Sequence, residues 1–268
     1  MKIKLFHILL LACVFFILPI TAQSSDENPT KSWEDIDDQT HGIIRSFLVG
    51  VEYRVKAGIA IGGTAPLPIP LEIREVKGFN PLINTSVEAE IVKTFNEPFG
   101  LSFGLRLETK GMKTNASVKN YSMKITEGNS EISGVWTGMV ETQVSNSYLT
   151  IPILFVWKPS KRWEIKLGPY GSYALTRNFT GQVYDGYLRV GSPIGEKIEL
   201  NRAIYDFSAD LSHWDCGLQL GTDFRAFPHL MAGIDLTWGV KSIFKKGFET
   251  ITFDMYPIFI RLNFGYAF

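Results

Sequence analysis

Apolar and polar residues alternate through the last segment of the chain, residues 256–268. Successive side chains of a strand point to opposite faces, so one face of this segment is entirely apolar. That face carries Tyr256, Ile258, Ile260, Leu262, Phe264, Tyr266 and Phe268, and the other carries Arg261, Asn263, Gly265 and Ala267. The pattern predicts a strand with one side facing lipid, because the aromatics continue up to the terminal residue.

The same two-residue period predicts seven further strands upstream. They lie near residues 47–56, 83–91, 101–125, 135–157, 163–176, 214–225 and 230–241. The polar continuation of the third strand to about residue 125 predicts that it extends beyond the bilayer. Pro152, Pro169 and Pro257 fall inside strands, and we expect local bulges there because proline donates no ladder hydrogen bond.

The connections between the predicted strands alternate between short and long. The short ones are 96–100, 158–162 and 227–229, and the long ones are 64–81, 127–134, 180–212 and 244–250. Membrane barrels have short periplasmic turns and longer extracellular loops. The sequence therefore predicts an all-β, eight-stranded antiparallel up-and-down transmembrane β-barrel over 47–268, with short periplasmic turns and long extracellular loops.

The alternative is a soluble, lipocalin-like barrel of eight strands. Such a barrel would hold its large apolar residues inside, around a ligand cavity, and its polar residues outside. The terminal strand and the N-terminal segment described next fit that alternative less well. Composition does not separate the two, since 45% of the residues are apolar.

The N-terminus predicts export. Lys2 and Lys4 precede an apolar run over 5–20, and Thr21-Ala22 is a small-residue exit, so 1–22 is a predicted signal peptide cleaved near Ala22. A lipoprotein box at Cys13 is disfavoured because the apolar run continues after it. Residues 23–46 are polar and acidic and are a predicted periplasmic lead-in. Cleavage would leave Cys216 as the single cysteine, which excludes an intramolecular disulfide.

The inward faces of the predicted strands collect charged residues of both signs. They are Glu52, Glu88, Glu90, Glu108, Asp215, Asp223 and Asp235 with Arg54, Lys56, Arg106, Lys166, Arg225 and Arg261. An eight-stranded barrel is only wide enough for side chains to fill. We therefore expect a buried ion network in the lumen and not an open aqueous pore.

Catalytic and cofactor signatures give little support to an enzyme. His213, near Ser212 and Asp210, is the best candidate base, but the three are too close in sequence to be persuasive. The chain has no Walker, dinucleotide-binding, HExxH or CxxC pattern, so we expect no catalytic residues, cofactor or metal. The 27 basic and 27 acidic residues balance, and nothing suggests a nucleic-acid partner.

Three short motifs carry a family resemblance. They are Asn146-Ser147-Tyr148-Leu149-Thr150-Ile151-Pro152-Ile153, Leu167-Gly168-Pro169-Tyr170 and Gly265-Tyr266-Ala267-Phe268. From about Phe47 onward the chain resembles the PorT-like outer-membrane β-barrel domain family of the Bacteroidetes. Phe264, Tyr266 and Phe268 also look like the C-terminal signal that the barrel-insertion machinery recognises. The resemblance implies residence in the outer membrane, with lipid and that machinery as partners.

The resemblance implies location better than activity, since a few members look like parts of secretion machinery while most have no assigned activity. We expect a structural or surface-binding role through the extracellular loops, chiefly 180–212 and the long third and fourth strands. A small-solute channel and a non-enzymatic component of a secretion or assembly complex are the alternatives. The surface ligand or protein partner is not identified by the sequence.

Overall fold

The computed structural model describes residues 50–127, 130–248 and 250–268. The predicted signal peptide and acidic lead-in lie outside these ranges, as does the start of the predicted first strand. The strands are β1 Val51–Pro66, β2 Ile73–Pro81, β3 Asn84–Asn96, β4 Phe99–Glu127, β5 Ser130–Trp157, β6 Trp163–Thr176, β7 Phe179–Val190, β8 Lys197–Asp206, β9 Trp214–Arg225, β10 Leu230–Gly239 and β11 Met255–Ala267. A single turn of 3-10 helix spans Ser208–Asp210.

Eight of these strands close into an antiparallel ring. The order is β1-β3-β4-β5-β6-β9-β10-β11, and β11 pairs back onto β1 from Arg54↔Ala267 to Pro66↔Met255. The closed ring leaves no unpaired edge, which is what a sheet needs in order to cross a bilayer. The predicted eight-stranded up-and-down barrel is therefore confirmed.

The alternation of side chains separates a polar interior from an apolar outer wall. On β1, Tyr53 is 50% exposed and Val55 is exposed, whereas Arg54 is 1% exposed and Lys56 is buried. The other ring strands follow the same rule, so their exposed large apolar residues form the surface that faces lipid. Within the described residues, no helix has the length and apolar character to cross a membrane.

The three strand prolines correct the prediction of local bulges. Pro169 pairs with Leu218 and Pro257 pairs with Thr64 in ladders without a register shift. Pro152 keeps the register of its strand with β6, whose one shift lies between Ser147 and Tyr148. The two buried prolines are accommodated by glycines on neighbouring strands. A Cβ atom would lie 2.9 Å from Pro152 Cγ if added to Gly104, and 2.6 Å from Pro257 Cδ if added to Gly239.

The predicted long loops contain strands, and this is a second correction. β2 lies in the first long connection and pairs with β4, while β7 and β8 lie in the third. β7 pairs with β5, and β8 reaches β4 through Thr126↔Ile204. The predicted 127–134 loop is reduced to a tight link, since Glu127 pairs with Ser130. β4 and β5 therefore continue far beyond the ring. For β4, this agrees with the predicted extension of the third strand to about residue 125.

We call this part of the molecule the extension: β2, β7 and β8, with residues 111–127 of β4 and 130–146 of β5. It has a hydrophobic core of its own, to which Trp136, Val183, Leu188 and Tyr205 contribute. Ile243, Phe244, Ile251 and Met255 join this core from the connection between β10 and β11 and the start of β11. Burial raises the pKa of the Tyr121 and Tyr205 phenols above the usual value, which keeps both neutral.

Candidate functional site

A four-membered ring of charges lies at the centre of the barrel interior. Lys56 Nζ is 2.8 Å from Glu90 Oε2 and 2.7 Å from Asp223 Oδ2. Lys166 Nζ is 2.5 Å from Glu90 Oε1 and 2.6 Å from Asp223 Oδ2. The four residues come from β1, β3, β6 and β9, and all are buried. Two cations and two carboxylates therefore neutralise each other away from water.

A second group of ion pairs lies toward the short turns. Both terminal nitrogens of Arg54 donate to the carboxylate of Glu164, at 2.6 and 2.8 Å. Glu52 accepts from Arg54 Nε and from Arg225 Nη2, each at 2.6 Å. The two-point Arg54–Glu164 geometry is the strongest form of a carboxylate pair. This group ties the first, sixth and ninth strands together.

A third group lies toward the extension. Arg106 is 3.2 Å from Glu88 and 3.0 Å from Glu108. Arg261 is 2.5 Å from Asp235 and 3.1 Å from Glu88, so Glu88 joins the two arginines. Lys110 Nζ is 3.4 Å from Asp215 and lies 4.9 Å from the centre of the Tyr170 ring. The interior charges thus form three groups that follow one another along the barrel.

The structure places all thirteen sequence-predicted lumen residues on the inner face and brings them into these groups. Sequence reasoning missed Glu164 and Lys110. The sequence spacing could have identified both, since Glu164 lies two residues before Lys166 and Lys110 lies two residues after Glu108. Residues two apart on a strand share a face.

The outer mouth of the barrel is covered by apolar side chains. Along β4, the inward charged residues Arg106, Glu108 and Lys110 are followed by buried Met112 and Val118, which belong to the core of the extension. Phe244 and Met255 join the same core from the β10–β11 side. The polar interior therefore meets a packed hydrophobic core at the end away from the short turns.

The residues considered for catalysis serve structural contacts. The His213 ring stacks on Tyr173, with centroids 5.6 Å apart. Ser212 Oγ donates to the carbonyl of Trp214 and accepts from Lys241 Nζ at 2.9 Å. In the ranges that the structure describes, no group of three or more His, Cys, Asp or Glu residues is arranged to hold a metal ion.

The outer face of the extension has a depression of about 290 Å³ between β2 and β4. Phe79, Asn80, Lys113 and Asn115 are among its lining residues. Asn115 Nδ2 donates to Tyr184 OH at 2.6 Å, while Asn115 Oδ1 is buried and has no hydrogen-bond partner among the described residues. Turning the amide round would leave its nitrogen unpartnered instead. The described residues therefore leave one end of this amide without a hydrogen-bond partner.

One ion pair and two hydrogen bonds link the strands beside this depression. Lys113 Nζ is 3.1 Å from Glu141 Oε1, and Gln182 Nε2 donates to the same oxygen at 3.0 Å. Together with Asn115 and Tyr184 these side chains make a continuous polar face across β4, β5 and β7. We call Lys113, Asn115, Glu141, Gln182 and Tyr184 the outer polar face.

Comparison with known protein families decides the family of this chain. Residues 22–245 match the family described as "Outer membrane protein beta-barrel domain". The chain belongs to this family. It is therefore an outer-membrane barrel, as the closed ring and its apolar wall also require. The narrower PorT-like membership stays a prediction, because the match is to the broad family.

Solved structures similar to this barrel include three outer-membrane proteins. Ail, the attachment invasion locus protein of Yersinia pestis, is 11% identical with a TM-score of 0.32, over 81% of this chain and 98% of that one. Neisserial surface protein A is 10% identical with a TM-score of 0.31, over 82% and 97%. OprG from Pseudomonas aeruginosa is 11% identical with a TM-score of 0.29, over 81% and 95%. No curated protein matches the chain.

The predicted C-terminal signal lies on the lipid-facing side of β11. Phe264, Tyr266 and Phe268 are all exposed, and the rings of Tyr266 and Phe268 are 5.0 Å apart. The Phe268 N–H donates to the carbonyl of Tyr53 at 3.0 Å, which extends the closing ladder by one residue. These residues can thus present an aromatic edge before the ring closes.

Deleting Phe268 is expected to lower the yield of assembled barrel in cells several-fold while leaving refolding in detergent largely intact. The reason is that the residue adds one ladder contact but ends the aromatic pattern that the insertion machinery would read. Gel migration with and without boiling measures the folded fraction, since a closed barrel migrates faster unboiled. Phe268→Tyr, which keeps the aromatic ring, is the control. Equal yields in cells from the wild type and the deletion would contradict the assigned role.

Proposed function

We propose that this protein is a surface-binding outer-membrane barrel that conducts no solute and binds its ligand through the outer polar face of the extension. The observation that carries the proposal is the combination of a barrel interior filled by paired charges with an extracellular sheet that has its own hydrophobic core. On this proposal the barrel is an anchor, and the extension is the recognition element.

The filled interior supports an anchoring role over a channel. Lys56, Lys166, Glu90 and Asp223 are each buried, and a solute could pass only by breaking contacts among them. Breaking a buried ion pair leaves uncompensated charge and costs roughly 3–5 kcal/mol. Barrels that conduct small solutes freely use about twice as many strands.

The construction of the extension supports binding. Five strands hold the outer polar face in hydrogen-bonded register, so its side chains are positioned on a rigid support. Binding residues are commonly carried by surface segments that a stable scaffold positions. The depression at Asn115 brings the amide groups of Asn80 and Asn115 beside the ammonium group of Lys113. A ligand rich in hydroxyl groups, such as a saccharide, would satisfy these groups.

The secretion-complex alternative rests on the PorT-like resemblance and on residues 23–46, which lie outside the described ranges. Cleavage of the signal peptide near Ala22 is part of the proposal, since the family matches from residue 22 onward and export requires a signal. On the alternative, a periplasmic partner would depend on 23–46 and not on the outer polar face.

The test is binding of nanodisc-embedded protein to an array of polysaccharides, compared between wild type and a Lys113→Ala/Asn115→Ala variant. We expect the variant to bind at least about tenfold more weakly, because two hydrogen-bonding groups are lost. A Lys197→Ala/Glu199→Ala variant, which removes an exposed ion pair on β8, is the matched control and should bind as the wild type does.

Two outcomes would overturn the proposal. One is a stable nanosiemens-scale conductance of the wild type in planar bilayers, which would favour the channel. The other is array binding that is absent, or that the outer-face variant leaves unchanged. Deleting 180–212 is not a useful alternative to these substitutions, because it would remove nearly all of β7 and the whole of β8 and so expose the core of the extension.

A further inference from the structure

The lipid-facing wall of the barrel has an apolar groove of about 640 Å³ near the end with the short turns. Its centre is Thr222, a small outward residue that pairs with Ile165 on one side and Ile234 on the other. Leu220 and Leu236 line the groove farther from the turns. A threonine between two isoleucines leaves a dent, because its neighbours extend farther from the wall.

A basic turn adjoins this groove. Pro159 and Trp163, which line the groove, bracket the cations Lys161 and Arg162 in the connection between β5 and β6. Both cations are exposed, and neither side chain has a hydrogen-bond or ion-pair partner among the described residues. The Ser160 hydroxyl accepts from the backbone N–H of Arg162 and of Trp163, at 3.3 and 3.2 Å. The turn is therefore fixed beside the groove with its cations unpaired.

The position of the groove matches the level of lipid headgroups. The rings of Trp163 and Phe224 lie 4.9 Å apart on the outer wall, at the last ladder pair of β6 and β9 before the turns. Outward aromatics at strand ends form the girdles that mark the membrane interface. Short turns face the periplasm, so this interface belongs to the periplasmic leaflet.

We propose that the groove and the basic turn form a binding site for an anionic phospholipid of the periplasmic leaflet. One acyl chain lies along Thr222 between Ile165 and Ile234, and the phosphate-bearing headgroup lies against Lys161 and Arg162. Charge complementarity selects the headgroup, because a zwitterionic lipid brings its own cation and leaves the two side chains less fully neutralised. The width of the groove favours a lipid tail as its occupant, since a depression one side chain wide admits an acyl chain and not a helix.

The cation and the acid that flank this turn, Lys158 and Glu164, are already engaged with each other. Lys158 Nζ is 3.6 Å from Glu164 Oε1 and donates to Thr94 Oγ1 at 3.1 Å. Glu164 is buried and holds Arg54. The acidic group nearest in sequence to the turn is thus turned into the barrel, and Lys161 and Arg162 face the membrane surface without an acid of their own.

The experiment is native mass spectrometry of the full-length protein after exchange with phosphatidylglycerol or phosphatidylcholine. We expect one phosphatidylglycerol to be retained with at least about tenfold preference over phosphatidylcholine, since each basic side chain at a membrane surface adds roughly a fivefold preference for anionic lipid. Lys161→Gln/Arg162→Gln should abolish this preference. Thr222→Leu, which fills the dent, should weaken retention of both lipids about tenfold, because each buried methylene contributes roughly fourfold.

Two controls separate the site from general effects. Ala89→Leu places the same leucine side chain at a lipid-facing position on β3, away from the groove, and should change nothing. Lys119→Gln/Lys246→Gln removes two exposed cations that do not lie in the short turns. This variant should keep the preference for phosphatidylglycerol. Equal retention of the two lipids by the wild type would overturn the site. A preference for phosphatidylglycerol that neither the Lys161/Arg162 variant nor the Thr222 variant changes would also overturn the site. This test does not depend on whether the protein binds a surface ligand.

Discussion

Replacing Lys166 by methionine is expected to lower the free energy of unfolding of the barrel by roughly 3–5 kcal/mol. Lys166 contacts Glu90 and Asp223, and its removal leaves Lys56 as the one cation of the four-membered ring facing both carboxylates. Methionine is similar in length and apolar, so the packing loss is small and the effect reports the unpaired charge. Urea-induced unfolding of the refolded protein in lipid vesicles measures the change.

The matched control is Lys197→Met on β8. Lys197 is paired with Glu199 at 2.6 Å, as short as the lumen contacts, but the two side chains are 43% and 78% exposed. Exposed pairs contribute roughly 0.2–1 kcal/mol, so this variant should be close to the wild type. A Lys166→Met/Glu90→Gln double variant restores charge balance and should recover part of the loss. Similar stabilities of Lys166→Met and Lys197→Met would show that the lumen ring does not stabilise the barrel.

The barrel strands could be predicted from the sequence because a single physical rule decides each position. Lipid on one side and packed charges on the other impose a strict two-residue period. Arg261 and Leu262 in β11 illustrate the rule, since the first is buried and the second faces the membrane. The period identifies the face of each residue, and this was enough to find the strands that close the ring.

The long arms of β4 and β5 were predicted, but β2, β7 and β8 of the extension were not, because bulges break that period in this part of the sheet. Val118 and Tyr121 of β4 are both inward, although they are three residues apart, since a register shift lies between them. A shift between Thr137 and Met139 has the same effect on β7, where Val183 and Leu188 are both buried. Each bulge changes the face of every later residue. The amphipathic pattern therefore looks irregular, and loops were predicted in place of strands.

The partners within the lumen are also beyond the reach of a sequence pattern. The two-residue alternation assigns Arg54 to the interior. It does not identify Glu164, which is 110 positions away, as the partner of Arg54. That pairing depends on the stagger of the strands around the ring, which sets the height of each side chain. The depression at Asn115 is similar, because it requires β2, and no strand was predicted there.

Replacing Trp136 by alanine is expected to destabilise the extension by roughly 3–5 kcal/mol while leaving the barrel closed. Trp136 is 0% exposed, and its Nε1 donates to the carbonyl of Met139 at 3.2 Å. A Cβ added to Gly186 would lie 2.7 Å from the indole, so the ring fills its site closely. Hydrogen exchange measures the result: amides of β7 and β8 should exchange faster, and those of β1 and β11 should not change.

The local effect follows from how the two parts are held together. The ring strands keep their ladders and the lumen ion pairs when the extension opens, so the unboiled protein should still migrate as a closed barrel. Trp214→Ala removes the same ring from an outward position that is 65% exposed, and its β7 and β8 amides should stay protected. Faster exchange in β1 and β11 of the Trp136 variant would mean that the extension core is needed to close the barrel. In that case the extension would be part of the folding unit and not a recognition element carried by it.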